Sequence, residues 1–382
     1  MMLFHQGSEL YGSDRMFLET VAALTDVGIN CTVVTPKAGP LTERLGAKAP
    51  KSGHLTMPSL FVLRRSKISG FILPSLLHFL RSTWIQYRCV RKICPDVVWV
   101  NTVVLPATVI AARLARRPVV VHVHEDGSHL GSFSRLVLFF PLCFATRIVA
   151  ASRSILSAVS KGPCRRSKTA LVMNAVAHVP RHSTLPRDRP NRMRILFIGR
   201  ISEVKGLDIF LGSLEHVVKE IPVEVRIVGD SFHSRDSFSE KMKERINDLS
   251  THVRIERFSF EAEPSFHYDW CHVVVVPSRA EPFGLVALEA QLAGRLAVVS
   301  GMGGLTEIVE HGVTGLIFDP TKPEALASGL SEAYNDWDKT TNISVTGRNT
   351  SLQRFSLSKY RSEVVRNLYS TGACREHMSD EF

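Results

Sequence analysis

The stretch that decides the fold is Cys271-His-Val-Val-Val-Val-Pro-Ser-Arg-Ala-Glu-Pro-Phe-Gly-Leu-Val-Ala-Leu-Glu289. Its four consecutive valines predict a strand that is buried on both faces, which is typical of a parallel sheet. A Pro-Ser pair then turns the chain, and Pro282 favours a first helical turn because proline has no N–H group to satisfy there. The apolar residues after Gly284 have the spacing of a helix packed on a sheet. The stretch therefore predicts a strand, a turn and a helix at the edge where open α/β sheets bind ligands.

Two glutamates lie in this stretch, one at the turn and one in the expected helix. Glu289 follows Glu281 after eight residues, a rise of roughly 12 Å if all of them are helical. That rise is on the order of the distance from the sugar to the ribose of a nucleotide sugar, so the two acids are candidates to bind its two ends. The alternative is that Glu281 caps the helix and Glu289 is a solvated helical residue, since charged residues are mostly exposed.

Charge is distributed unevenly along the 382 residues, whose length predicts two or three domains. Residues 1–190 contain 25 Lys/Arg and 9 Asp/Glu, whereas residues 191–382 contain 22 and 27, so the halves carry +16 and −5. Ten Lys/Arg and no acid occur between Arg44 and Pro95. A basic half of this kind indicates that one domain faces a polyanion or an anionic membrane.

Cysteine usage and apolar runs bear on the compartment. The seven cysteines are scattered without a C-x-x-C pair, which argues for reduced thiols and against a disulfide framework or a zinc site. The start of the chain is too short and too polar for a signal peptide. The longest apolar runs, Ile68–Leu80 and Leu136–Ala145, fall short of the about 18–20 residues of a membrane span. We therefore expect a cytoplasmic protein whose apolar runs form core or interfacial helices.

The first half opens with a strand–turn–helix pattern. Met2–Gln6 predicts a strand, and Met16–Val27 predicts a helix that ends at Gly28. The turn between them contains Gly12 and Ser13, but its glycine spacing is not the G-x-G-x-x-G of dinucleotide-binding proteins. An ordinary tight turn is therefore an equally good interpretation of this segment.

Two later segments of the first half are candidates for function. Between Pro58 and Ile93 basic and apolar residues interleave, as in a helix that lies in a membrane surface, although a solvated helix over a core fits equally well. Pro118–Asp126 predicts a strand on which His122 and His124 share one face. His124 is expected at the strand's exit, where a histidine can act in chemistry, although a lone histidine is more often structural.

The second half begins after a proline-rich linker with another strand, Met193–Gly199. The loop that follows is Arg200-Ile-Ser-Glu-Val-Lys-Gly206, and it leads into a helix. Arg200 and Lys205 bracket this loop, and cations at a helix N-terminus are suited to bind a diphosphate. Further along the chain, Gly303 and Gly304 lie in a glycine turn that lets backbone approach a ligand closely.

The stretch from Cys271 to Glu289 resembles the E-x7-E element of retaining glycosyltransferases of family 4, which have the GT-B fold. The Arg200–Gly206 loop resembles the second signature of that family. The resemblance implies an α/β fold of two Rossmann-like parallel-sheet domains that face a central cleft. It places an acceptor-side domain at residues 1–178, a linker at 179–192, a nucleotide-sugar-binding domain at 193–355 and a last helix, about 356–370, that returns to the first domain.

The same resemblance implies roles for individual residues. The catalytic residues would be Glu281, His124, Arg200 and Lys205. The residues that bind the substrate or the nucleotide would be Gly12, Ser13, Phe258, Gly303, Gly304, Phe283, Gly284, Leu285 and Glu289. No metal and no cofactor are expected, and the donor would be a nucleoside diphosphate sugar.

The expected activity is retaining, metal-independent glycosyl transfer to a glycan or lipid-linked acceptor in cell-surface glycan synthesis. The expected partner surface is an anionic membrane on its cytoplasmic face, and nucleic acid is not expected as a partner. Two alternatives stay open: a non-hydrolysing nucleotide-sugar epimerase of the same fold, and a polyanion- or nucleic-acid-binding protein that uses the basic half. The triplet Asp336-Trp-Asp338 has the form of a metal clamp, but it lies in a polar helical region away from any strand exit.

Overall fold

The structure, a computed structural model, describes residues 1–63, 72–127, 130–161, 168–176, 185–231 and 237–372. The chain divides into two compact units. Unit 1 consists of Met1–Ala177 with Leu357–Phe382, and unit 2 consists of His178–Ser356. In each unit, strands alternate with helices and all strand pairs are parallel, which is the pattern expected of Rossmann-like domains.

Unit 1 contains a seven-stranded sheet with the order β3-β2-β1-β4-β5-β6-β7 in its described residues. Most of its strands are short and consist of buried apolar residues, as strands covered by helices on both faces must be. The strands are β1 (Met2–Phe4), β2 (Thr32–Thr35), β3 (Gly53–Thr56), β4 (Val98–Val100), β5 (Val119–Val123), β6 (Arg147–Ala150) and β7 (Thr169–Leu171).

The helices of unit 1 connect these strands. They are α1 (Gly12–Asp26), α2 (Pro40–Lys48), α3 (Ile72–Ile93), α4 (Pro106–Leu114), α5 (Ser132–Phe139) and α6 (Arg153–Ser160), with a 3₁₀ turn at Phe140–Phe144. Helix α1 begins at Gly12, four residues before the predicted start. The reason is that the Asp14 carboxylate accepts a hydrogen bond from the backbone N–H of Tyr11 and so stabilises an earlier first turn.

The described part of unit 2 contains a six-stranded sheet with the order β10-β9-β8-β11-β12-β13. Its central strand β11 is the run of four valines, and all four side chains are buried as predicted. The strands are β8 (Met193–Ile198), β9 (Val223–Val228), β10 (Arg254–Phe258), β11 (Val273–Val276), β12 (Leu296–Ser300) and β13 (Leu316–Phe318).

The helices of unit 2 cover both faces of its sheet. They are α7 (Leu207–Val217), α8 (Ser237–Leu249), α9 (Ser265–Trp270), α10 (Leu285–Leu292), α11 (Leu305–Ile308), α12 (Pro323–Asn335) and α13 (Trp337–Arg354). Helix α10 begins only after Gly284, so Glu281 and Pro282 lie in a turn and not in a first helical turn. The assumption that all residues from Glu281 to Glu289 are helical was therefore wrong. Gly284 has φ +107°, which a helical residue does not adopt.

The last described helix, α14 (Leu357–Tyr369), packs in unit 1 against α1. The hydroxyl groups of Tyr360 and Thr20 are 2.7 Å apart in a buried hydrogen bond, and Arg361 forms an ion pair with buried Glu19. Glu19 also pairs with Lys48, and because a buried charge is costly unless it is paired, Arg361 adds to the contacts that hold this C-terminal helix in the first unit.

No helix in the described residues is both long enough and apolar enough to cross a bilayer. Helix α3 occupies part of the segment in which basic and apolar residues interleave. Four residues of that pattern, Arg64, Arg65, Lys67 and Phe71, lie outside the described residues.

Candidate active site

The two loops that carry the predicted cations and Glu281 leave the unit 2 sheet side by side. Strand β8 lies between β9 and β11, so the strand order reverses at the β8–β11 pair. The carboxyl ends of β8 and β11 therefore form the crevice where doubly wound sheets bind their ligands. The loop after β8 contains Arg200 and Lys205, and the loop after β11 contains Ser278, Arg279 and Glu281.

Arg279 joins these two loops. Its backbone N–H donates to the Val204 carbonyl at 2.8 Å, and its guanidinium donates to the Glu203 carbonyl at 2.8 Å. The same guanidinium forms a bidentate pair with Asp208 in α7 at 2.6 and 2.8 Å. Burial alone would raise the pKa of Asp208, but the hydrogen bonds and charge of Arg279 outweigh it and lower that pKa below its ordinary value.

Gly206 allows the loops to approach each other. Its φ is +71°, and a Cβ atom at this position would lie 2.0 Å from the Pro277 carbonyl oxygen. No side chain can be accommodated there without moving the loop after β11. The glycine is therefore a requirement of the close approach that brings Lys205 next to Glu281.

Lys205 and Glu281 form an ion pair at the centre of this arrangement. The Lys205 Nζ atom lies 2.6 Å from Glu281 Oε2, and the Ser278 hydroxyl donates to the same oxygen at 3.0 Å. The Glu281 side chain is 11% exposed and that of Lys205 is 26% exposed. Two donors thus hold one carboxylate oxygen and leave Oε1 to interact with a ligand.

Arg200 directly follows Gly199 at the carboxyl end of β8 and is half-buried. It belongs to the same loop as Lys205, which ends in the αL residue Gly206 at the N-terminus of α7. The first N–H groups of a helix have no partner within that helix, so this loop combines two cations with a helix N-terminus.

The turn after Glu281 is packed closely against the turn after β12. The backbone N–H of Gly304 donates to the Glu281 carbonyl at 2.8 Å. A Cβ atom at Gly304 would lie 2.5 Å from the Phe283 Cα atom, and one at Gly284 would lie 2.7 Å from a Leu305 side-chain carbon. The predicted binding residues of these turns are therefore neighbours: Phe283, Gly284, Leu285, Gly303 and Gly304.

Glu289 lies in α10 and is buried, being 3% exposed. The Tyr268 hydroxyl donates to Glu289 Oε2 at 2.7 Å. The interpretation of Glu289 as a solvated helical residue is therefore wrong. Its predicted contact with a ribose stays a prediction, and Tyr268 is the residue that orients its carboxylate.

Phe258 ends β10, which is separated from β8 by β9, so its ring lies away from the Lys205–Glu281 pair. Its half-buried ring makes an edge contact with His267, with centroids 4.6 Å apart. The guanidinium of Arg226 lies 5.2 Å from the Phe258 centroid and 4.1 Å from that of Trp270. The structure therefore places Phe258 in an aromatic cluster of the outer sheet.

A cavity of about 490 Å³ lies at the opposite edge of the unit 2 sheet. Arg194, His272 and Arg295 line it, and each stands at the amino end of a strand. No predicted site residue lines this cavity, so we do not assign the nucleotide sugar to it.

The described residues contain no group of three or more His, Cys, Asp or Glu side chains placed to hold a metal ion. The Asp336 carboxylate accepts from the backbone N–H of Lys339 and caps α13, which gives the Asp336-Trp-Asp338 triplet a structural role.

In unit 1, polar residues follow three neighbouring strands. His5 follows β1, Asn101 follows β4 and His124 follows β5, and β4 lies between the other two strands. The Asn101 side chain contacts a ring nitrogen of each histidine at 3.3 Å. Asp14 lies 2.6 Å from the other ring nitrogen of His5. The predicted residue His124 is thus the outer member of a connected network.

The side chains of His122, in β5, and His124, directly after it, point to the same side as predicted, with ring centroids 4.3 Å apart. His122 is fully buried, and neither of its ring nitrogens has a hydrogen-bond partner among the described residues. Burial lowers the pKa of His122 to about 3 and holds that of His124 well below its ordinary value, so both rings are neutral near pH 7.

Glu125 is fixed beside His124. Its carboxylate accepts from the Thr102 hydroxyl and from the backbone N–H of His124. Burial raises the pKa of Glu125 although these hydrogen bonds act in the opposite direction.

Gly12 and Ser13 are half-buried. Because they lie in the first turn of α1, their N–H groups belong to a helix N-terminus and not to a loop.

Sequence reasoning missed Ser278, Arg279 and Tyr268 in unit 2. Ser278 and Arg279 lie in the same turn as Glu281, which was predicted as a site residue. Their closeness to Glu281 along the chain was the available signal. It also missed Asp14, His5 and Asn101 in unit 1; His5 and Asn101 are the first polar residues after buried strands, and that pattern was the available signal there.

Two family descriptions match this chain. "Glycosyltransferase Family 4" matches residues 11–178, and "Glycosyl transferases group 1" matches residues 186–350. The two matches correspond closely to the two units and leave only short segments unmatched.

Similar proteins support the same family. An uncharacterized glycosyltransferase of Methanocaldococcus jannaschii is 30% identical over 46% of this chain and 44% of its own length. A D-inositol 3-phosphate glycosyltransferase of Paenarthrobacter aurescens is 35% identical over 39% of this chain and 37% of its own length. Each match therefore spans less than half of the relative.

Among solved structures, Anabaena HepE in complex with UDP-glucose superposes with a TM-score of 0.80 over 97% of this chain and 99% of that chain. Sucrose-phosphate synthase from Thermosynechococcus elongatus superposes with a TM-score of 0.76 over 97% and 98%. At 22% and 18% identity, these likenesses show a shared fold.

Proposed function

The chain belongs to the group 1 glycosyltransferases of family 4, with the GT-B fold, and on that basis we propose that it transfers a sugar from a nucleoside diphosphate sugar to an acceptor hydroxyl with retention of configuration. The observation that carries the proposal is the Lys205–Glu281 pair at the switch point of the unit 2 sheet. A cation and a carboxylate at this crevice suit a ligand that has a diphosphate on one side and sugar hydroxyls on the other.

The donor would be held mainly by unit 2. Arg200 and Lys205 would bind the diphosphate together with the N-terminus of α7, and Glu281 Oε1 would accept from sugar hydroxyls. Glu289 would bind the ribose, and the adjoining turns from Phe283 to Leu285 and at Gly303–Gly304 would contribute backbone N–H groups. From unit 1, His124 and the first turn of α1 at Gly12 and Ser13 would contact the substrates.

In the transfer step, the bond between the anomeric carbon and the β-phosphate oxygen breaks, and its electron pair stays on the diphosphate. The acceptor oxygen forms the new bond to that carbon, and its proton passes to the leaving diphosphate oxygen that gained the electron pair. Negative charge grows on the diphosphate as the bond breaks, so cations fixed at that position stabilise the transition state more than the ground state. We propose that Arg200 and Lys205 supply this stabilisation without a metal ion or another cofactor.

The acceptor is proposed to be lipid-linked or a growing polysaccharide, because α3 offers an unusual surface. Its buried residues Ser82 and Gln86 are polar and hydrogen-bonded to each other and to neighbouring segments. Its exposed side instead carries large apolar residues, each between 48% and 65% exposed: Leu73, Leu76, Leu77, Leu80 and Trp84. The inner side of α3 also buries Val90 in the unit 1 core, and the cluster of exposed leucines on the other side is suited to an apolar environment.

Charge favours an anionic lipid surface as that environment. Arg81, Arg88, Arg91 and Lys92 are exposed on α3, and the segment from Arg44 to Pro95 has no acid. Each Lys or Arg near an anionic membrane contributes about 1 kcal/mol. We therefore propose peripheral binding of unit 1 to anionic lipid on the cytoplasmic face of the membrane.

Thermal shift with UDP, GDP, dTDP and ADP tests the donor proposal, because a ligand of the native state raises the unfolding free energy by about 2.7 kcal/mol at 100 times its Kd. One of these compounds should raise Tm. Arg200→Ala should remove most of that shift, whereas Arg189→Ala, at the opposite-edge cavity, should retain it. No shift with any of the four compounds would contradict the proposal.

A further inference from the structure

The network of unit 1 determines more than the position of His124. We propose that Asp14, acting through His5 and Asn101, is a positioning residue that sets which ring nitrogen of His124 carries the proton. This inference rests on the proposed function for its catalytic consequence only, since the hydrogen-bond geometry belongs to the protein alone.

The first step is the contact between Asp14 and His5. Asp14 Oδ2 accepts from the backbone N–H of Tyr11 at 2.8 Å, and Oδ1 lies 2.6 Å from His5 Nε2. A carboxylate has no proton to donate, so His5 Nε2 must be the donor. The other nitrogen, Nδ1, faces the Asn101 amide nitrogen at 3.3 Å, and this contact fits the tautomer whose lone pair is on Nδ1.

The second step is the orientation of the Asn101 side chain. Its Nδ2 atom lies 3.3 Å from His5 Nδ1, and its Oδ1 atom lies 3.3 Å from His124 Nε2. Because His5 Nδ1 is an acceptor, the amide NH₂ group must face His5. The amide oxygen then faces His124 and can only accept.

The third step follows for His124. Its Nε2 atom faces an acceptor and must carry the proton, so Nδ1 carries the lone pair. The ring is neutral near pH 7 because burial holds its pKa well below the ordinary value. His124 therefore presents a hydrogen-bond acceptor at Nδ1, which suits a hydroxyl group of a sugar or an acceptor as its ligand.

Burial makes this direction of hydrogen bonds stable. His5 and Asn101 are fully buried, and Asp14 is 4% exposed. The His5 ring is also stacked on Phe17, with centroids 4.6 Å apart and planes inclined by 10°. Few solvent contacts compete with the network, so a reversed amide would leave two buried acceptors facing each other.

Asp14→Asn is the variant that tests the proposal. Its amide oxygen would stay on the Tyr11 N–H group, and its NH₂ group would face His5, so the donors and acceptors at His5, Asn101 and His124 would all reverse. We expect ¹⁵N NMR of histidine-labelled full-length protein without donor to show His124 protonated on Nε2 in the wild type and on Nδ1 in the variant. The resonance is assigned with His124→Gln.

A second variant and a control complete the experiment. Asn101→Leu has a similar volume and interrupts the network, so His124 should populate both tautomers in that variant even if Asp14→Asn fails to fold. Thr20→Val removes a comparably buried hydrogen bond of unit 1, to Tyr360, and should leave the His124 tautomer unchanged.

Activity provides the second readout. Once the donor is known, Asp14→Asn should lower kcat/KM about tenfold through the hydrogen bond lost at His124 Nδ1. Protonation of wild-type His124 on Nδ1, or a folded Asp14→Asn protein with the wild-type tautomer, would overturn the inference. Because the spectra are recorded without donor, absence of sugar transfer would refute the proposed function and leave the tautomer result standing.

Discussion

Lys205 and Glu281 form an ion pair that joins two loops of unit 2. Their atoms are 2.6 Å apart, and Ser278 donates to the same carboxylate oxygen. A partly buried pair of this kind keeps both side chains in one orientation. In the proposed function, little reorganisation would then be needed when a diphosphate binds Lys205 and a sugar binds Glu281.

Lys205→Ala should lower kcat/KM for sugar transfer by about 10²- to 10³-fold, because one preorganised donor to the leaving group is lost. A matched control is Lys243→Ala, which breaks a Lys–Glu pair of 2.7 Å on the surface of α8 and should leave the rate unchanged. The measurement is steady-state transfer with the donor identified by thermal shift. Equal rates for Lys205→Ala and wild type would place the diphosphate elsewhere.

The positions of Glu281, Arg200 and Lys205 could be predicted, because each lies in the loop that directly follows a recognisable buried strand. Their roles stay predictions. The contacts of Ser278 with Glu281 and of Tyr268 with Glu289 could not be predicted, since they depend on side-chain orientation in a turn and on a helix from another segment. The same holds for Asp14, His5 and Asn101. Their contact depends on which strands are neighbours in the sheet, and the apolar pattern within a strand does not predict its neighbours.

At the scale of the element, the loop after β8 and its last residue, Gly206, determine how close Lys205 lies to Glu281. The loop after β8 can lie against the loop after β11 only because position 206 has no side chain. The strand and the helix on either side could be predicted from the residue pattern, but a close backbone contact between two loops leaves no such pattern. The start of α10 was misplaced for a related reason, since Gly284 adopts a φ that delays the helix.

Gly206→Ala should therefore destabilise the protein more than Gly312→Ala. Both glycines have φ near +70°, but only at Gly206 would a Cβ atom meet backbone, whereas nothing lies within 4 Å at Gly312. The backbone conformation alone costs of order 1–3 kcal/mol for a non-glycine residue, so the comparison isolates the additional clash. Chemical denaturation measures the two unfolding free energies, and equal losses would contradict the close approach.

Helix α3 is the element on which the membrane proposal depends. Replacement of Leu76, Leu77 and Leu80 by Gln should weaken co-sedimentation with anionic vesicles, because apolar insertion and charge act together. Val345→Gln with Leu352→Gln, which replaces exposed apolar residues of unit 2, is the matched control and should sediment like the wild type. Equal recovery on neutral and anionic vesicles, or full binding by the leucine variant, would favour a soluble acceptor.

At the scale of the whole molecule, the alternation of strands and helices was predictable for most of the chain, and so was the division into two sheets. The boundaries expected at residues 178 and 356 lie next to those of the observed units. The strand β3 and the helix α2 were not predicted from their apolar pattern, because short or partly exposed elements have too little periodicity to be recognised.

Buried histidines couple the stability of the whole molecule to pH. His122 has a pKa of about 3 in the folded protein, against an ordinary value of 6.5, so between these values the unfolded chain binds a proton that the folded protein does not. The unfolding free energy should therefore fall as the pH falls below about 6.5, by up to about 1.4 kcal/mol per pH unit from this histidine. His272, whose pKa burial lowers to about 4, acts in the same direction.

His122→Phe should reduce the slope of the unfolding free energy against pH by about one proton, or about 1.4 kcal/mol per pH unit, between pH 4 and pH 6. The ring lies against Trp99 and Tyr360, and its nitrogens have no hydrogen-bond partner among the described residues, so stability near pH 7 should change little. Chemical denaturation across this pH range provides the slope. An unchanged slope would mean that His122 is protonated in the folded protein.

The most direct test of the central claim compares sugar transfer with nucleotide binding in Glu281→Gln. We expect this variant to lose transfer by a factor of at least about 10², because an amide cannot replace a carboxylate that interacts with the sugar in the transition state. We expect its calorimetric affinity for the nucleoside diphosphate to stay within a few fold of the wild type. Transfer that persists in Glu281→Gln while nucleotide affinity is lost would contradict the assignment of Glu281 to the sugar.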